Sequence, residues 1–224
     1  MIQSSSGFSY ETKFETMVFG VEPKQVELRV ETLADIDATI DGLFKMYLER
    51  GQQELFEEMC PYFGILWPAG RVLAEMTVDL RDRVSAGASV LEVGCGLALP
   101  SLILAKLGLR PTAMDIHPDV PVFLERNCRE NGLDALPCIL ADWSKWAGPE
   151  RWDLVLASDV LYDKVQPQTL LSFLDRVVAP GGRALVADPG RGYWSGFLDD
   201  ARMRGWSLST KGLYGVNTCE LRRV

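Results

Sequence analysis

In VLEVGCGLALP, residues 90–100, an apolar run stops on Gly94, resumes for one residue at Cys95, stops again on Gly96 and re-enters apolar sequence. A chain that only needed to turn would place polar residues there. Two glycines between an apolar run and an apolar helix let backbone amides approach a ligand, because no Cβ stands in the way. The helix that follows offers its positive end to the same ligand. The stretch reads as a strand, a ligand-binding turn and a helix start.

Outward from it, the same rhythm repeats. Apolar runs ending in small or acidic residues stand at 89–93 (SVLEV), 110–115 (RPTAMD), 136–141 (LPCILA), 153–158 (DLVLAS) and 182–188 (GRALVAD). Helical patterns fall between them, at roughly 98–108, 118–131, 167–178 and 193–203. Continuous apolar strands alternating with helices predict a parallel sheet covered on both faces. The end of the chain differs: WSLST (206–210) and TCELRR (218–223), joined through KGLYGVN (211–217), predict an antiparallel pair.

Ahead of this unit, residues 14–31 alternate as a hairpin, FETMVFG then QVELRV across VEPK. From Asp35 to about Met59 the spacing is helical, with Ile36, Ile40, Leu43, Phe44, Tyr47 and Leu48 as one apolar stripe. CPYFGILWP (60–68) breaks it, and a helix over about 69–83 follows. The chain thus divides into an extension, 1–60, and an α/β unit, 61–224.

Composition narrows the function. The chain has 224 residues, 47% hydrophobic and 24% charged, with a net charge of −8. That balance supports a packed core and disfavours a nucleic-acid partner, whose phosphates it would repel. The first residues hold no signal-peptide pattern, and no run reaches the ~18 apolar residues of a membrane span. Five cysteines without a C-x-x-C pair, and a single histidine, His117, predict a reduced, cytoplasmic, metal-free protein.

In a sheet of this kind ligands bind beyond the carboxyl ends of the strands, where strand order reverses. The residues there are Glu92 to Gly96, Asp115, Asp142 with Trp143, and Ser158 to Tyr162. A carboxylate at the second strand's end suits the two hydroxyls of a ribose. Dinucleotide binding wants G-x-G-x-x-G, and here Leu99 stands where the third glycine should be. An acid two residues before the glycines suits a cationic ligand better than a phosphate. S-adenosylmethionine, with a sulfonium, an ammonium, a ribose and an adenine, meets both conditions.

These segments resemble a known family. LEVGCGLALPSL (91–102), AMDIHPD (113–119), ADW (141–143) and LVLASDVLY (154–162) resemble the motifs of the class I S-adenosylmethionine-dependent methyltransferases. With PYFGILWPAGRVLAE (61–75) ahead of them, they resemble more narrowly the seven-strand protein-lysine methyltransferases of the electron-transfer flavoprotein beta subunit and chaperone type. The resemblance covers about 61–190. It implies a Rossmann-like α/β fold: a seven-stranded methyltransferase sheet, five strands parallel plus the C-terminal antiparallel hairpin, behind an N-terminal β-hairpin and helical extension. Ala98 departs from a frequent glycine and is expected to ask only for slightly different packing.

The same resemblance assigns roles. Trp67 packs near the cofactor. Glu92, Gly94 and Gly96 form its methionyl and ribose side, with Cys95 between the glycines as a small side chain under the loop. Asp115 holds the ribose hydroxyls, Trp143 lies against the adenine, and Asp142 or its backbone meets the exocyclic amine. Ser158 lines the cofactor near the sulfonium. Asp159 and Tyr162 face the substrate as the catalytic pair. The acceptor is a protein lysine; the alternatives are a small-molecule N- or O-acceptor, or a cofactor-binding module without catalysis. A lysine of ordinary pKa, about 10.4, needs roughly 4.6 kcal/mol to reach its neutral form at pH 7. Asp159 alone would hold it charged, so Asp159 orients the amine and is no strong base.

Overall fold

The computed structural model describes residues 2–223. Two short strands, β1 (Ile2–Gln3) and β2 (Ser9–Tyr10), pair antiparallel and precede the hairpin β3 (Thr12–Phe19) and β4 (Val26–Leu33). The strict alternation of β4 buries Val26, Leu28 and Val30 on one face.

The first helix, α1 (Ile36–Glu49), starts on Asp35, whose side chain accepts from the Ala38 amide. It ends ten residues before the expected Met59. Gly51 takes φ +65°, its amide bonds Leu48, and the Gln52 amide reaches back to Tyr47, a Schellman stop that only a left-handed residue allows. The expected stripe is also narrower: Leu43 and Tyr47 are buried while Phe44 and Leu48 stay exposed.

Next comes α2 (Pro68–Leu80), with proline at its first position where no amide is needed. The alternating unit then runs β5 (Val90–Val93), α3 (Leu99–Lys106), β6 (Thr112–Asp115), α4 (Val120–Glu130), β7 (Cys138–Leu140), β8 (Trp152–Ser158), α5 (Gln166–Val177), β9 (Val178–Asp188), α6 (Trp194–Met203), β10 (Trp206–Leu213) and β11 (Val216–Arg223). The seven strands stand in the order β10-β11-β9-β8-β5-β6-β7. β5 to β9 are parallel, and β11 runs against both neighbours. The C-terminal pair is tighter than expected. Its link is two residues, Tyr214 and Gly215, both at positive φ, the type I′ geometry that matches strand twist.

Alternation along the central strands divides the core. Val90, Leu154, Leu156 and Leu185 pack against α2, whereas Leu91, Val93, Val155 and Val186 pack with α5 and α6. A third cluster joins α3 and α4 to the N-terminal strands through Tyr10, Leu28, Phe63, Leu102 and Phe123. The N-terminal segment is locked there by polar contacts as well. Buried Asp119, before α4, accepts from the Ser5 amide at 2.5 Å and from the Tyr10 hydroxyl at 2.8 Å. The bidentate pair of Arg126, on α4, with buried Glu31, on β4, adds a second lock at 2.7 and 2.9 Å.

Strand order reverses between β5 and β8. The chain leaves β5 towards β6 and β7, then returns to β8 on the other side. The cleft over those two strand ends is where the sequence placed its ligand.

Candidate active site

A cavity of about 750 Å³ opens at this reversal, a size suited to a nucleoside-sized ligand. All eleven residues expected at the site line it: Trp67, Glu92, Gly94, Cys95, Gly96, Asp115, Asp142, Trp143, Ser158, Asp159 and Tyr162. Its lining carries seven carboxylates and, among the described residues, one guanidinium, Arg191. That donor set fits a ligand bearing a sulfonium and an ammonium and repels a polyphosphate.

The glycine loop is held to β6. Cys95 N–H donates to the Met114 carbonyl at 3.1 Å, and Gly96 N–H donates to Asp115 Oδ2 at 2.9 Å. Asp115 Oδ1 accepts from the His117 amide at 3.0 Å. Each Asp115 oxygen spends one lone pair on backbone and keeps another for a ligand.

The glycines serve the protein as much as any ligand. Gly94 (φ +61°) and Gly96 (φ +50°) are both left-handed. A Cβ on Gly94 would lie 2.8 Å from Val160 Cγ1 and 2.9 Å from the Trp143 ring; one on Gly96 would lie 3.0 Å from the Phe63 carbonyl oxygen. The missing side chains make room for neighbouring residues, and the loop's cavity side is backbone. Ala98 asks for more than different packing: it is fully buried at φ +56°, a left-handed position disfavoured for any residue with a Cβ.

Glu92 is 1% exposed. Its Oε2 accepts from the Ser101 amide at 2.8 Å and the Ser101 hydroxyl at 2.5 Å, so it ties β5 to the first turn of α3. Burial pushes its carboxyl up to about 7, against the lowering effect of those two bonds. Asp142 is also engaged: Oδ1 accepts from the Ser144 amide and Oδ2 lies 3.2 Å from Lys145. Burial raises its carboxyl, but those partners outweigh it and hold it below the usual range. Its side chain closes a turn, leaving Trp143, half-buried on the cavity wall, as the flat surface of that strand end.

His117 behaves as a loop cap. Its Nδ1 accepts from the Asp119 amide, its Nε2 faces the Met59 carbonyl, and its ring packs tilted against Phe63, centroids 4.2 Å apart. Burial holds it below its ordinary pKa. The Cys95 thiol, buried, is pushed well above its own, which leaves no thiolate for nucleophilic work.

Asp159 and Tyr162 share the cavity but differ in freedom. Tyr162 is more than half exposed, and its hydroxyl accepts from the Gln166 side-chain amide at 3.2 Å. Asp159 is turned left-handed (φ +59°), and its side chain is 7% exposed. Its Oδ2 accepts from the Ala69 amide at 3.2 Å, which seats the carboxylate on the N-terminus of α2. Its Oδ1 lies 2.7 Å from Arg191 Nη1, an ion pair whose angle falls short of a hydrogen bond. Burial raises the carboxyl, with Arg191 and the Ala69 amide pulling the other way. The carboxylate expected to face the substrate is therefore already partnered.

That partner was missed in the sequence. Arg191 follows the fifth parallel strand, β9, whose end lies outside the four strand ends that the sequence reading names. Asp188 closes β9 with a fully buried carboxylate that accepts from the Gly190 and Arg191 amides, both at 2.8 Å, and meets Arg191 Nη1 at 3.1 Å. The available signal was the acid at the strand end followed by Pro-Gly-Arg.

Comparison with known proteins agrees with this geometry. A family model described as a methyltransferase domain matches residues 91–186. The electron transfer flavoprotein beta subunit lysine methyltransferase of Homo sapiens is 31% identical over 187 residues, 76% of this chain and 70% of that protein. Its Danio rerio counterpart is 36% identical over 134 residues, 58% of this chain and 51% of that protein. The chain thus spans about half to 70% of the length of these relatives. Among solved structures, the T. thermophilus 16S rRNA N2 G1207 methyltransferase RsmC, in complex with AdoMet and guanosine, superposes with a TM-score of 0.62 at 16% identity, over 97% of this chain and 52% of that one. That likeness is one of fold.

Proposed function

Because the chain belongs to the class I, seven-strand S-adenosylmethionine-dependent methyltransferases, we propose that it methylates the side-chain amine of a protein lysine. The observation that carries this reading is the cavity at the strand reversal, lined, among the described residues, by seven carboxylates and a single guanidinium. Such a lining favours a cationic cofactor and a cationic acceptor together. The fold by itself leaves a nucleic-acid acceptor open, since RsmC is an rRNA methyltransferase; the acidic lining and the chain's net charge of −8 favour protein. No helix among the described residues is long and apolar enough to cross a membrane. The five cysteines stand unpaired, which supports a reduced, cytoplasmic setting.

When bound, the cofactor supplies a methyl group on a positively charged sulfur that departs as a neutral thioether. The protein's own residues supply alignment, which is worth several kcal/mol of such a barrier. In this reading Asp115 holds the ribose hydroxyls with its free lone pairs. The Gly94–Gly96 backbone and Glu92 bound the methionyl side, and Trp143 carries the adenine. Trp67 and Ser158 close the region near the sulfur. Asp159 and Tyr162 receive the amine. Residues 61–224 form the catalytic unit and 1–60 its extension.

The test is transfer of labelled methyl from S-adenosylmethionine to purified electron transfer flavoprotein beta subunit, followed by mass spectrometry of the labelled site. Label on a lysine supports the reading. Label only on a small molecule, or none where S-adenosylhomocysteine binds, would replace it with a small-molecule enzyme or a binding module.

A further inference from the structure

We infer that Arg191 is a positioning residue that sets the ionisation of the acceptor amine by neutralising Asp159 on the wall of the cavity they share. The inference rests on the lysine reading above. An amine attacks only with a free lone pair. One proton must first pass from the ammonium to solvent; the lone pair then forms the N–C bond while the methyl–sulfur bond breaks with its electrons left on sulfur. A bare carboxylate beside the amine works against the first of these events, because it favours the ammonium.

The structure supplies the remedy. Arg191 Nη1 lies between two carboxylates, 2.7 Å from Asp159 and 3.1 Å from Asp188. Asp188 is fully buried at the end of β9 and holds the Arg191 backbone as well as its side chain, so the guanidinium is fixed in place. The N-terminus of α2 adds a partial positive charge through the Ala69 amide on the other Asp159 oxygen. The segment before α5 adds the neutral Tyr162 hydroxyl and Asp163, whose Oδ1 is taken by the Val165 and Gln166 amides. The remaining acids on the lining are Glu92, Asp115 and Asp142 at the strand ends and the exposed Glu57 and Glu58. Among the described residues on the lining, Arg191 is thus the cation that meets the acceptor carboxylate. With it, Asp159 can orient an amine by hydrogen bonding without fully stabilising its charged form. Without it, the ammonium itself takes Arg191's place as the ion-pair partner.

The test compares wild type, Arg191→Met and Arg191→Lys over pH 6–10, with electron transfer flavoprotein beta subunit as acceptor. In Arg191→Met the acidic limb of the kcat profile should move up by about one pH unit, so that kcat at pH 7 falls about tenfold and recovers at high pH. KM for the acceptor should stay or fall, because ammonium binding is strengthened. Arg191→Lys, which keeps the charge, should restore the wild-type limb. Thermal melting and S-adenosylhomocysteine titration accompany each variant. An unmoved limb in a variant that still binds S-adenosylhomocysteine overturns the inference, as does a pH-independent loss that Arg191→Lys fails to restore. If wild type itself labels no lysine, the lysine reading fails first, and the inference falls with it.

Discussion

The Gly96 amide donates to Asp115 Oδ2 at 2.9 Å, so the turn after β5 and the acid at the end of β6 hold each other in place. One carboxylate thereby shapes the loop and presents its remaining lone pairs to the cavity. Its two roles call for two readouts. Asp115→Ala should weaken S-adenosylhomocysteine binding by about 1.5–3 kcal/mol, the worth of hydrogen bonds to a charged group. It should also lower the melting temperature, because two backbone donors lose their acceptor. Calorimetry on the folded variant decides; unchanged affinity would remove Asp115 from the ligand site and leave it a loop brace.

Gly94 bears on stability more than its place in a binding turn suggests. Adding a Cβ strains a left-handed residue and forces the Trp143 ring and Val160 apart. Gly94→Ala should therefore cost about 1–2 kcal/mol from the backbone alone, with a further loss from displaced packing, and cofactor affinity should fall alongside. Urea unfolding measures the first and titration the second. A variant of wild-type stability would mean that this turn does not need its left-handed glycine.

Glu92 makes stability depend on pH in a window that can be named. Its folded carboxyl is raised from 4.5 to about 7. Between those values the folded chain holds a proton that the unfolded chain has released, so stability falls as pH rises through the window. Glu92→Gln keeps an acceptor for Ser101 and has no proton to lose. The stability of wild type minus that of the variant should therefore drop by about 3 kcal/mol from pH 4.5 to pH 7. Parallel denaturant melts of the two proteins at several pH values test it; a difference flat with pH would place Glu92's proton outside the folding equilibrium.

Two asparagines one turn apart, Asn127 on α4 and Asn131 capping its C-terminus, replace a missing strand. Asn127 accepts from the Glu31 amide and donates to its carbonyl; Asn131 does the same for Arg29. Residues four apart on a helix rise about 6 Å, close to the spacing of two residues along a strand, so both amides dock on the edge of β4. Asn127→Ala leaves a buried donor and acceptor unpaired, at about 1–3 kcal/mol each. Hydrogen exchange at residues 29–31 should accelerate before exchange in β5 and β8. Uniform acceleration across the sheet would mean that the hairpin and the α/β unit unfold as one.

The parts legible in the sequence were those written in short-range pattern. The five parallel strands were recoverable because each is an apolar run closed by an acid or a small residue, and the site followed because four of those ends lie side by side. What was not legible depended on backbone sign or on distant partners. The Schellman stop at Gly51 looks like an ordinary glycine in a polar stretch, so the sequence predicts a longer α1 than the chain forms. Tyr214-Gly215 lacks the usual Asn-Gly signal, so the sequence predicts a wider loop than the two residues that join the last hairpin. Ala98 shows nothing of its left-handed backbone. Arg191 lies 32 residues from Asp159 in the chain, and only the pairing of β8 with β9 brings them to 2.7 Å.

Asp159→Asn is a less conservative change in this structure than its shape implies. Both carboxylate oxygens face N–H groups: one accepts from the Ala69 amide and the other is ion-paired with Arg191. An asparagine offers a single oxygen, so its amide group must face a donor at one of the two positions. The variant should cut methyl transfer at least about tenfold, equivalent to 1.4 kcal/mol in the barrier, and it should also lower stability. Pairing it with Arg191→Met separates the effects. The double variant removes the donor that opposes the new amide, so its stability should lie above the sum of the single losses, the coupling expected of residues in contact. Transfer should respond differently. If Asp159 meets the acceptor amine, the double variant stays below Arg191→Met in rate at every pH, because the group that orients the amine is still missing. S-adenosylhomocysteine affinity should be nearly the same in all three. Recovery of transfer in step with stability would reduce Asp159 to a cap on α2 and a counter-ion for Arg191, and would move Tyr162 to the head of the groups that receive the substrate.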